Sequence, residues 1–99
     1  MFNFIGLGKI RSENLEEVTE AIRKYVSSIS NETGTPEYIV YQNREEPCKI
    51  VFYERYKDEQ TYYDEHRKNP DLKEMTDVLF ASLEGEGSMG FYKVLAQKE

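Results

Sequence analysis

The chain has 99 residues, 19 of them acidic and 13 basic, for a formal net charge of −6. That length suits one domain spanning residues 1–99, because domains usually run to about 100–150 residues and two separate cores would not both bury enough surface. No block of Lys or Arg offsets the acidity, so a phosphate backbone would be repelled and nucleic acid is not an expected partner.

Phe2–Ile10, FNFIGLGKI, is short, apolar and punctuated by glycine, the pattern of a strand rather than a helix. It has no basic region before it and about half the length of a membrane span, so neither a membrane nor a targeting role is expected. One cysteine, Cys48, leaves no internal disulfide, and one Cys with one His cannot supply the ligands of a zinc site. The cytoplasm is the expected location. Asn31 opens an N-E-T sequon, which has no meaning without a secretory route.

Asn14, with Glu17 after it, has the spacing of a capping box. Leu15, Val18, Ile22, Tyr25, Val26 and Ile29 follow at steps of three and four, which gives an amphipathic helix with one apolar stripe. Gly34 and Pro36 end it. EYIVYQN (37–43) and CKIVFYERY (48–56) alternate around β-branched and aromatic residues, and the REEP between them makes an antiparallel hairpin. Asp58 is placed to cap a short helix through EQTYYDEHRK. Asn69 and Pro70 restart the chain into a further helix with Leu72, Met75, Leu79 and Leu83 along its stripe. EGEGS breaks that helix, and MGFYKVLA (89–96) supplies a fourth strand.

The order β-α-β-β-α-α-β is that of an α+β, ferredoxin-like domain: a four-stranded antiparallel sheet with helices on one face. Strand parity puts Phe2, Phe4, Tyr38, Val40, Ile50, Phe52, Phe91 and Leu95 on one face. Ile5, Leu7, Ile39, Tyr41, Val51, Tyr53, Tyr92 and Val94 fall on the other. Both faces are apolar, yet the helices cover only one. Eight large apolar side chains left wet would forgo on the order of 10 kcal/mol, so a homodimer packed sheet against sheet is expected. A bulge that shifts one register is the alternative.

The stretch YIVYQNREEPCKIVFYERYKDEQTYYDEHRKNPDLKEM resembles the antibiotic biosynthesis monooxygenase domain family in its hairpin, its third strand ending in Tyr-Glu-x-aromatic, and its helix with a His followed shortly by a Pro. The resemblance implies a dimeric α+β barrel. Tyr56 stands where many members place a pocket-lining Trp, and Tyr62 and His66, one helical turn apart, resemble the cavity-facing positions of the next helix. Phe52 and Glu54 share the face of Tyr56 and would line the same cavity. The chain departs from the family in having no Trp and in having Asp71 after Pro70, where a second His is common.

By that resemblance the expected activity is a cofactor-independent monooxygenase acting with dioxygen on a small hydroxylated, quinol-like aromatic. His66 and Tyr62 would be catalytic, and Phe52, Glu54, Tyr56 and Asn3 would bind substrate. The substrate itself would donate the electron, so no cofactor and no metal are expected. The residues leave other readings open. His66 equally suits a hydrogen-bonded helix histidine, the tyrosines suit core or dimer contacts, and Glu54 suits pairing with a Lys or Arg across the sheet. Asn3 equally suits a strand-edge water. Function likewise has alternatives: a non-catalytic barrel that binds an apolar ligand or acts in stress response, and, least favoured, a haem-degrading oxygenase. GEGSMG (85–90) matches G-x-G-x-x-G, but a helix precedes it and a strand follows, the reverse of a dinucleotide site. Cys48 beside Lys49 has no base or second Cys and reads as an inert small residue.

Overall fold

The computed structural model describes residues 1–99. Strand β1 (Phe2–Lys9) leads through a single 3-10 turn at Ser12–Asn14 into helix α1 (Leu15–Ser28). The hairpin β2 (Glu37–Gln42) and β3 (Lys49–Tyr56) follows, then helices α2 (Glu59–Lys68) and α3 (Pro70–Ala81), and β4 (Ser88–Tyr92) closes the chain. The strands form one antiparallel sheet in the order β2-β3-β1-β4, so the first and third strands lie at the centre, as in ferredoxin-like folds.

The registers put Phe2 opposite Tyr56, Phe4 opposite Glu54 and Phe91, and Val40 opposite Phe52, on the face that carries the helices. Ile5, Leu7, Ile39, Tyr41, Val51, Tyr53 and Tyr92 share the other face, as the alternation predicts. Val94 and Leu95 differ from expectation: β4 ends at Tyr92, and Leu95 is 97% exposed. The core lies between the helices and the inner face, where Val18, Ile22, Tyr25 and Ile29 from the first helical stripe meet Ile50, Phe52, Leu72, Met75 and Leu79. Burial of each such side chain is worth about 1.5–3 kcal/mol, and this stripe-on-sheet packing holds the helices in place.

The helix starts divide in how they are capped. Asp58 accepts a hydrogen bond from the Thr61 amide at 2.8 Å and Asn69 accepts one from the Asp71 amide at 2.9 Å, with Pro70 in the first turn, as expected. The box at Asn14 does not form. The 3-10 turn before α1 holds Asn14 at φ −105°, ψ −1°, outside the extended conformation of a cap, and its side chain makes no cap bond. Its Oδ1 accepts from Arg11 Nε instead. Arg11 also donates to the carbonyls of Ala81 and Leu83, which ties the end of α3 to the exit of β1, and Ile10 and Leu83 form an isolated bridge there.

Candidate functional site

The inner face of β1 carries Gly6 and Gly8 between Phe4 and Ile10, opposite Phe52 and Ile50 of β3. A Cβ at Gly6 would sit 3.1 Å from the Phe4 ring, and one at Gly8 would sit 3.0 Å from Leu83 Cδ2. The missing side chains let the Phe4 ring and Leu83 lie close against the strand. A cavity of about 270 Å³ lies there, between the sheet and helices α2 and α3. Phe4, Tyr38 and Phe52 form its sheet wall, Tyr62 and His66 face it from α2, and Leu72, Met75 and Leu79 face it from α3. The volume and apolar lining suit a small ring compound.

Glu54 is the one carboxylate in this wall and is 4% exposed. Its neighbours across the sheet are Phe4 and Tyr38, so the pairing with a Lys or Arg that its position allows does not occur. The Tyr56 hydroxyl donates to Glu54 Oε1 at 2.5 Å. Burial pushes the Glu54 carboxyl up to about 7, against the Tyr56 hydroxyl and then the Tyr38 hydroxyl, which pull it down. Burial and the adjacent Glu54 charge raise the Tyr56 hydroxyl far above the usual phenol range, so it stays protonated as the donor.

His66 and Tyr62 stand one turn apart on α2 with ring centroids 4.0 Å apart. His66 Nδ1 lies 2.8 Å from the Tyr62 carbonyl oxygen. A carbonyl only accepts, so Nδ1 carries the hydrogen and the neutral ring has its lone pair on Nε2. Desolvation lowers the His66 pKa, against the Tyr62 carbonyl and the Glu65 charge, which favours this neutral form. Desolvation, then the Glu54 and Tyr63 charges, raise the Tyr62 hydroxyl. Phe4 stacks on the Tyr62 ring at 6.1 Å and Phe91 meets it edge-on at 5.1 Å, so aromatic packing sets its orientation. A second network holds α2 at the right height. Tyr25 of α1 donates to Glu65 Oε1 at 2.9 Å, and Asn69 Nδ2 donates to the same oxygen at 2.6 Å.

Of the six residues singled out in the sequence, Phe52, Glu54, Tyr62 and His66 meet at this cavity. Tyr56 does not line it. The ring is 0% exposed, lies edge-on to Tyr62 at 5.1 Å, and touches the site through its bond to Glu54. Asn3 lies on the opposite face of the sheet, level with Arg55 and Tyr92. The glycine floor was not singled out, although the G-L-G of β1 was its visible sign. No group of three or more His, Cys, Asp or Glu side chains converges in a way that could hold a metal.

A model of the antibiotic biosynthesis monooxygenase family matches residues 1–78, which takes in β1, α1, the hairpin, α2 and most of α3. The chain belongs to this family. The match therefore contains the lining residues from Phe4 to Thr76 but not those from Leu79 onward. A search of curated proteins finds no match. Among solved structures, a candidate antibiotic biosynthesis monooxygenase from Nitrosomonas europaea is 20% identical, with a TM-score of 0.85 over 97% of this chain and 100% of that one. A conserved protein from Methanosarcina mazei is 24% identical, with a TM-score of 0.80 over 93% and 90%. SnoaB, a cofactor-independent oxygenase from Streptomyces nogalater, is 10% identical, with a TM-score of 0.79 over 97% and 94%. At these identities the solved structures show a common fold, the monooxygenase-like α+β fold of the family. No helix of the chain is long and apolar enough to cross a membrane.

Proposed function

We propose that this family member is a cofactor-independent monooxygenase that acts on a small hydroxylated aromatic, with residues 1–99 working as one domain. The observation that carries the reading is His66 at the wall of an apolar cavity, its Nδ1 hydrogen committed to the Tyr62 carbonyl and its Nε2 lone pair free to take a proton. A phenolic hydroxyl beside that nitrogen would lose its proton to it. The apolar walls of Phe52 and the α3 leucines offer no hydrogen bonds to solvate the anion, which leaves it a strong electron donor. Dioxygen, the co-substrate, then takes four electrons from the ring. For a hydroquinone, one oxygen atom enters at a ring carbon to give the hydroxyquinone, and the other leaves as water with the two hydrogens lost. Tyr62 positions the ring by stacking.

SnoaB, a protein of the same fold, is a cofactor-independent oxygenase, which supports a reaction that needs no cofactor here. The working form in this reading is a homodimer through the outer face of the sheet, and a cytoplasmic location fits the one free cysteine, Cys48. Oxygen uptake with a panel of hydroquinones tests the function. The wild-type chain is expected to consume oxygen and His66→Ala to lose most of that rate, about 10²–10⁴-fold for removal of a general base. Ligand-dependent shifts in melting temperature with uptake at background would instead make the cavity a binding site without turnover.

A further inference from the structure

We propose that the cavity has a polar head end and an apolar tail end, and that its ligand is a phenol carrying an unbranched apolar chain that leaves the protein between Phe80 and Met89. The phenol head rests on the monooxygenase reading above, and the chain goes beyond it. The titratable side chains of the cavity gather at one end. Phe4 and Tyr38 flank Glu54 in one row across the inner face of the sheet, and Tyr62 stacks on Phe4 with His66 beside it. The next row along β1 is Met89, Gly6 and Phe52, and the one after it pairs Gly8 with Ile50. Neither row carries a polar side chain. Two hydroxyl residues also border the cavity, but Thr76 Oγ1 donates to the Lys73 carbonyl at 3.1 Å, and Ser88 stands level with Leu7, on the parity of the outer face.

The two ends are well separated. From Phe4 to Gly8 the strand advances about 13 Å. Helix α3 runs alongside for about 12 Å from Leu72, which borders the same groove as His66, to Phe80, and Leu83 Cδ2 then lies against Gly8. A volume of about 270 Å³ spread over that length makes a narrow space. A phenol ring set against Tyr62 and His66 fills roughly half of the length and leaves room for a chain of about six carbons. In the far rows only an apolar group gains, by about fourfold in affinity for each buried methylene. The far end also carries exposed apolar side chains: Phe80 on α3 is 54% exposed, and Met89 on the inner parity of β4 is 63% exposed. The head end offers an apolar chain no such exit. Past His66 lies a groove lined by Arg67, Lys68 and Lys73, which are ion-paired with Asp64 or Asp77, and a chain laid there would displace water from charged groups.

Anaerobic titration calorimetry separates this inference from the oxidation chemistry. The compounds are 4-methylphenol, 4-butylphenol, 4-hexylphenol and 4-tert-butylphenol. The wild-type chain is expected to bind the unbranched series more tightly by about fourfold for each added methylene up to hexyl. It should also prefer 4-butylphenol to 4-tert-butylphenol by about tenfold, although the two have the same number of carbons, because the branched group is too wide for the far rows. Phe80→Asp and Met89→Asp each set a charge at the tail exit, and each should weaken 4-hexylphenol about tenfold more than 4-methylphenol. Both positions are exposed, so the circular dichroism of the variants should match the wild type. The comparison of butyl with tert-butyl needs no variant and decides the matter if neither variant folds. Equal affinity along the series, equal affinity for the two butyl compounds, or equal loss of hexyl and methyl compounds in both variants would overturn the proposal. Oxygen uptake at background with these preferences intact would remove the monooxygenase reading and leave the head-and-tail cavity standing. Uptake with a flat series would do the reverse.

Discussion

Glu54 carries a consequence for stability that is separate from any reaction. Its carboxyl titrates at about 7 in the folded chain against 4.5 when exposed, so between those values the folded state binds more protons than the unfolded one. Its contribution is fully present below the unfolded value and is lost as pH rises through about 7, to a limit of about 3 kcal/mol for a shift of this size. His66 acts in the opposite sense: its pKa is lowered, so stability falls as pH drops below 6.5. Urea denaturation of wild type and Glu54→Gln at about pH 5 and about pH 8.5 isolates the first effect. The glutamine can still accept from Tyr56, so the variant should gain on wild type as pH rises. Parallel pH dependences in the two proteins would mean that the carboxyl does not titrate in a dry site. On the sheet, residues were legible in the sequence as far as strand parity reached, while Tyr62 and His66 on α2 were marked by their one-turn spacing and the family resemblance. Phe52 and Glu54 follow from alternation on β3, and the same rule, applied to β1, sends Asn3 away from Phe2 and Phe4. Parity gives a face and not a depth, so it could not tell that Tyr56 stands behind Glu54 rather than beside the cavity.

The helix starts compare a cap that forms with one that does not, although their sequences look equally good. Asp58 precedes α2 in an extended conformation, φ −159°, ψ 174°, and its carboxylate reaches both the amide and the hydroxyl of Thr61. Asn14 has the right side chain and the right partner, Glu17, but the turn at Ser12–Asn14 has already curled the backbone, so its oxygen points to Arg11. Side-chain identity at a fixed spacing cannot reveal that the preceding residues have taken a 3-10 turn. Replacement of Asp58 by Ala should cost about 1 kcal/mol, and replacement of Asn14 by Ala only a few tenths. Chemical denaturation curves with unchanged slope would measure both. Equal losses at the two positions would show that Asn14 caps α1 in solution after all. The Asp58 cap also bears on the site, because α2 is the helix that presents Tyr62 and His66.

The sheet has two apolar faces and helices for one, and the residues on the uncovered side are those that alternation assigns to it. Leu7, Tyr41 and Tyr92 are each about half exposed and Ile39 is 38% exposed. Beside them, Asn3 Oδ1 and Arg55 Nε are buried without a hydrogen-bond partner, on a face where a second chain could supply one. Element order and face assignment were readable because a strict period of two leaves no freedom once the hairpin register is set. What lies opposite the outer face was not readable, because a contact between copies leaves no periodic trace beyond the apolarity itself. A second copy packed face to face would bury the exposed side chains, each worth about 1.5–3 kcal/mol when fully covered. The closed two-fold contact would place the same patch on both sides of the interface. Sedimentation should then give twice the chain mass of 11.7 kDa. Ile39→Asp sets a charge on that outer face, where loss of hydration on pairing would cost several kcal/mol for each copy. The variant should sediment as the monomer and keep the circular dichroism of the wild type, since the inner core is untouched. A wild-type chain that sediments as a monomer, or an Ile39→Asp chain that stays dimeric, would mean that the outer face meets something other than its own copy.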